Sequence, residues 1–80
     1  MRLLLLGTAG CHLCEEAEEM IQACLPNDYQ PEIIDIAEQE HWQAQYAIRI
    51  PVLVHPDTQK ELAWPFTQSE VQAFVMLVTK

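Results

Sequence analysis

The chain has 80 residues, enough for one small domain spanning 1–80 whose core is marginal at that size. Half of the residues are hydrophobic, so folding without disulfide or metal staples is expected. Twelve acidic against four basic residues give a net charge of −8, which argues against nucleic acid and anionic membrane surfaces as partners, because both need Lys and Arg to neutralise phosphate.

In chain order, Arg2 to Leu6 reads as a buried strand, an apolar run closed by Gly7-Thr8-Ala9-Gly10. The leucine run after Met1-Arg2 is shorter than the roughly 7 apolar residues of a signal-peptide core, so a cytoplasmic location is expected. No stretch is long enough to span a membrane. Residues 11 to 25 read as a helix, with Leu13, Ala17, Met20, Ile21 and Cys24 on one face and Glu15, Glu16, Glu18 and Glu19 on the other. Pro26-Asn27-Asp28 stops it. Glu32 to Ile36 reads as a second strand. Asp35 with Glu38 is a capping pattern for a helix over about 36 to 47 that carries Trp42 and Tyr46 at i, i+4. Residues 52 to 55 and 60 to 63 read as two strands joined by the turn Pro56-Asp57-Thr58-Gln59. Thr67-Gln68-Ser69-Glu70 is a capping box, and Phe66 with Val71 fits a hydrophobic staple. The last helix then runs to about Val78 with Val71, Phe74, Val75 and Val78 inward. The order is βαβαββα, and nothing in it demands more than a monomer.

Chemistry concentrates in Cys11-His12-Leu13-Cys14, at the junction of the first strand and first helix. A thiol at a helix N-terminus faces unpaired N–H groups and the positive end of the helix dipole. Both favour the thiolate, the form that attacks disulfides. Cys11 is the candidate nucleophile, and Cys14, one turn into the helix, the candidate resolving thiol. The spacing alone also suits a zinc site or a structural pair. A protonated His12 near Cys11 would lower its pKa further; a solvated histidine without a role reads equally well. Cys24 lies on the apolar stripe as core filler or, alternatively, as a second resolving thiol. His41 and His55 are isolated, no second CxxC exists, and no metal site is expected.

Downstream, Ile50-Pro51-Val52-Leu53-Val54 sets a proline at the head of a β-branched run. Together with the CxxC this resembles the thioredoxin superfamily, and in particular small bacterial glutaredoxin-like proteins with Cys-His-Leu-Cys and a later Trp-Pro-Phe, here Trp64-Pro65-Phe66. The resemblance implies an α/β fold, a thioredoxin-like three-layer α/β/α sandwich on a four-stranded mixed sheet. It implies a cis Pro51 facing the CxxC, with Ile50 offering its backbone to an extended peptide or to glutathione. His12, Ile50, Pro51 and Trp64 would then line the substrate groove. The glycine pair and acidic segment that hold the glutathione carboxylate in glutaredoxins are replaced here by Trp64-Pro65-Phe66. Thr8-Ala9-Gly10 stands where those proteins often carry a lysine, and Arg49 is the basic residue near the expected groove.

The expected function is a glutaredoxin-like thiol–disulfide oxidoreductase without a bound cofactor. Its partner would be a disulfide-containing protein or glutathione, the latter as a co-substrate. Two other readings stay open: a non-enzymatic binding module that uses the peptide groove, and an iron–sulfur or metal carrier through Cys11.

Overall fold

The computed structural model describes residues 2–38 and 50–79. Strand β1 (Leu4–Gly7) leads into helix α1 (His12–Cys24), then a single helical turn at Asn27–Tyr29 and strand β2 (Glu32–Asp35). Strands β3 (Val52–His55) and β4 (Lys60–Ala63) form a hairpin, and helix α2 (Gln68–Val78) closes the order. The sheet runs β2-β1-β3-β4. β1 and β2 are parallel, with Leu5 opposite Ile33 and Gly7 opposite Asp35. β3 is antiparallel to both β1 and β4. The mixed four-stranded α/β sheet implied by the resemblance is therefore present.

Alternation along β1 and β3 divides the interior. Leu3, Leu5 and Leu53 face α1 and α2, where they join Ala17, Ile21, Phe66, Val71, Phe74 and Val75. Leu4, Leu6, Val52 and Val54 face the other way and cluster with Ile36, Ile34 and Ile50. Because both faces of β1 and β3 are buried, their sequences are continuous apolar runs. The helix expected over 36 to 47 enters the described residues only as the turn Ile36–Glu38, where Asp35 Oδ1 accepts from the Ala37 N–H at 2.9 Å. The rest of that expected span, with His41, Trp42 and Tyr46, lies outside the described residues, as does Arg49 beyond it.

Two sequence readings need correction. β1 is shifted by the pairing of Gly7 with Asp35 and runs Leu4–Gly7 rather than Arg2–Leu6, although the Leu3 carbonyl still accepts from the Glu32 N–H at 2.8 Å. Leu13 is not on the inner face: it is 47% exposed, while Cys14, Ala17 and Ile21 are buried. The helix starts at His12 with its phase set by Cys14, so Leu13 is rotated out by about 100°.

Local chemistry explains the element ends. Gln30 Nε2 donates to the Leu25 carbonyl at 2.7 Å and reaches those of Ile21 and Gln22, so a side chain satisfies carbonyls at the end of α1. In the β3–β4 turn, Gln59 takes φ 60°, and the buried His55 Nδ1 lies 2.8 Å from Thr58 Oγ1. Thr67 and Glu70 form the capping box, Thr67 Oγ1 accepting from the Glu70 N–H at 3.1 Å and Glu70 Oε1 from the Thr67 N–H at 2.9 Å.

Candidate active site

β1 ends at Gly7, and four residues later Cys11 serves as the N-cap of α1 in an extended conformation. Its Sγ accepts from the Cys14 N–H at 3.2 Å. Gly10, at φ +78°, makes the turn that a residue with a Cβ would resist. The sulfurs of Cys11 and Cys14 lie at disulfide distance, with Cα atoms 5.2 Å apart, inside the usual range for a bridged pair. Cys11 is half-buried, whereas Cys14 is 9% exposed and sits against the backbone of β1. Cys11 is thus the more exposed residue of the pair, and Cys14 is held against β1.

Gly7 makes that packing feasible. A Cβ there would stand 3.0 Å from Cys14 Sγ and 3.1 Å from Cys14 Cβ. The residue was read from the sequence only as part of a strand-ending cluster. The usable signal was its place directly after an apolar strand and directly before a CxxC loop.

His12 projects into solvent, and its Nδ1 lies 3.7 Å from Glu15 Oε2, an ion pair when the imidazole is protonated. That partner is a glutamate on its own helix. Glu15 in the first turn suits the helix dipole. It also opposes a thiolate, an effect that salt weakens, the Debye length being about 10 Å at 0.1 M ionic strength.

Pro51 is buried immediately before β3. Since Leu6 pairs with Val52, Pro51 lies at the same end of the sheet as Gly7 and the CxxC loop. The Ile50–Pro51 and Trp64–Pro65 peptide bonds are both cis. The Trp64 N–H donates to the Pro51 carbonyl at 3.1 Å, so the two proline segments are tied together. The Trp64 ring meets Phe66 edge-on at 5.0 Å between centroids and packs on the α1–α2 core. Trp64 is thus partly a buttress of the Pro51 loop, and Ile50 is half-buried against the opposite cluster. Cys24 is free, half-buried and far down α1, with burial pushing its thiol pKa up and a backbone hydrogen bond opposing that. Among the described residues, no group of three or more His, Cys, Asp or Glu is gathered to hold a metal ion. None of the described helices is long and apolar enough to cross a membrane.

A βαβ–ββα order with a CxxC at the head of its first helix defines a class: a thioredoxin-superfamily domain of glutaredoxin-like type. Residues 2–76 match the glutaredoxin-like domain family (DUF836), and the chain belongs to that family. No curated protein matches the sequence. Among solved structures, it is similar to the X. campestris structural-genomics target XcR50, with 28% identity, TM-score 0.80 and coverage of 94% of this chain and 96% of that one. It is similar to protein Ne2328 from Nitrosomonas europaea at 32% identity, TM-score 0.73, covering 91% and 88%. Thioredoxin 1 from Thermosipho africanus matches at 25% identity and TM-score 0.68 over the full length of both chains.

Proposed function

We propose that this protein is a thiol–disulfide oxidoreductase in which Cys11 is the nucleophile and Cys14 the resolving thiol. The observation that carries the reading is the Cys11–Cys14 pair at disulfide distance on the N-terminus of α1, with Cys11 the more exposed residue of the two.

The Cys11 thiolate attacks one sulfur of a substrate disulfide. A Cys11–substrate S–S bond forms, the substrate S–S bond breaks, and the first substrate thiolate leaves and takes up a proton. Cys14, after losing its proton to solvent, attacks Cys11 Sγ and expels the second substrate thiolate. The protein is left oxidised at Cys11–Cys14, and two electrons have passed to the substrate. An external dithiol, or two molecules of glutathione, returns the pair to the reduced state. The Cys14 N–H stabilises negative charge on Cys11 Sγ by a charge-assisted hydrogen bond, and the helix dipole adds to it.

Ile50 offers its backbone to an extended substrate segment and Pro51 shapes that groove, with His12 and Trp64 at its border. The substrate is a protein disulfide or a glutathione mixed disulfide. The protein works in the cytoplasm as a monomer and holds no bound cofactor, with glutathione at most a co-substrate.

The test is a titration through glutathione redox buffers, with alkylation of free thiols and intact-mass readout. A reversible two-thiol transition that Cys11→Ser removes supports the reading. A stable adduct in Cys14→Ser identifies the captured partner. Thiols that remain reduced and never pair across the whole range would sink it.

A further inference from the structure

Among the described residues, the helix layer leaves part of the sheet uncovered on the side away from Pro51. Ile33, in register with Leu5 on the face that α1 packs against, is 52% exposed. Between α1 and β2 lie two adjoining cavities of about 210 and 380 Å³ that share Leu5, Glu18 and Ile33. Together they make a groove that begins at Cys14 and Gly7 and runs toward the end of α1. Its floor is aliphatic. Glu15, Glu18 and Asp35 line the end nearest Cys14. Among the described residues no Lys or Arg pairs with these three carboxylates; Arg2 is engaged 3.6 Å from Glu32. Among the same residues, β2 pairs with β1 alone, so its outer edge takes no strand partner there.

We propose that this groove is a docking site for an extended, Lys- or Arg-bearing segment of a partner protein. Three features select that occupant. A long cationic side chain lays its methylenes on apolar surface and keeps its charge at the border, which matches an Ile33–Leu5 floor beneath carboxylates. A strand edge without a strand partner takes up an extended backbone. A net charge of −8 steers a basic partner and repels an acidic one. The inference names the partner class of the oxidoreductase proposed above; it rests on that reading for its purpose and not for the binding itself.

The test uses two cysteine-free synthetic peptides, acetyl-Lys-Val-Lys-Leu-Lys-amide and its Glu-for-Lys counterpart, titrated into the whole protein while backbone amide NMR shifts are followed. The Lys peptide should bind about tenfold more tightly than the Glu peptide at low salt, the sum of a few exposed ion pairs. Shifts should centre on Ala9, Ile33 and Ile34, and the preference should shrink as salt rises. Combining Glu18→Gln with Asp35→Asn should bring the two affinities close together, whereas Asp57→Asn, in the distant β3–β4 turn, should leave the ratio as it was. Equal affinities in the unaltered protein, or shifts confined to Ile50 and Trp64, would overturn the proposal and need no variant to be read. Since the probes carry no thiol, thiols that fail to cycle would remove the redox reading alone. Cycling with equal peptide affinities would remove the docking site alone.

Discussion

The two α-helices among the described residues begin on opposite terms. α2 starts at Thr67 with two reciprocal oxygen hydrogen bonds, and the flanking Phe66 and Val71 are both buried in the core. α1 starts at Cys11, whose sulfur accepts a 3.2 Å bond from the Cys14 N–H, while the Cys11 N–H donates to the Thr8 carbonyl at 3.3 Å rather than to a side chain of α1. A thiol sulfur is a poor acceptor and a thiolate a good one. The α2 start is therefore stabilising whatever the redox state, whereas the α1 start becomes favourable when Cys11 ionises. The comparison teaches where the fold leaves a helix end to chemistry and where it closes one for stability.

The largest effect comes from exchanging the first device for the second. Cys11→Ser should eliminate the two-thiol transition in the redox titration. Because Ser is among the preferred N-caps, urea unfolding under reducing conditions should show α1 no less stable than before. A surviving Cys14-dependent transition, or a large loss of stability, would break the contrast between the two helix ends.

Gly7→Ala acts next. The new methyl would stand 3.0 Å from Cys14 Sγ, with buried backbone on one side and the helix on the other. Overpacking of this kind costs about 1–3 kcal/mol. Displacing Cys14 should also slow its attack on a mixed disulfide held by Cys11, visible as a longer-lived adduct in quenched-flow mass measurements. A stability loss with an unchanged adduct lifetime would make Gly7 a packing residue and nothing more.

Thr67→Ala sharpens the comparison from the other end. It removes an oxygen cap and should cost about 1 kcal/mol in urea unfolding. The midpoint of the Cys11–Cys14 transition should not move, because α2 starts far along the chain from the thiols and its cap serves stability alone.

How much could be read beforehand differs with the range of the interaction. β3, β4 and the capping box lie where turn and cap chemistry put them, since Pro56 to Gln59 and Thr67 to Glu70 act within four residues. The Cys11–Cys14 pair was legible for the same reason. Leu13 was misplaced because a cysteine was not counted as the residue that sets the buried phase, although Cys14 is the one pressed on β1. Gly7 against Cys14, the Trp64–Pro51 hydrogen bond and the uncovered Ile33 all join segments far apart in sequence. Periodicity within one segment holds no information on such meetings, which depend on how far α1 and α2 extend over the sheet.

The smallest expected effect sets the two ends of α1 against each other through their thiols. Cys11 stands at the positive end of the helix dipole and Cys24 in the last turn, at the negative end. Burial, the larger influence, holds the Cys24 pKa above its ordinary value, with a backbone hydrogen bond working against it. With the dithiol reduced, iodoacetamide should label Cys11 well before Cys24 at neutral pH, and the gap should narrow in alkali. The sign for stability follows from the same shift. A thiol pKa raised by folding contributes stability that is fully present below the unfolded-state value, about 8.5, and is lost as pH rises through the folded value. Unfolding measured from neutral pH upward should therefore show a modest alkaline decline that Cys24→Ala flattens. Labelling of Cys24 as fast as Cys11 at neutral pH would show that the far end of α1 is as open to reagents as the end that carries the chemistry.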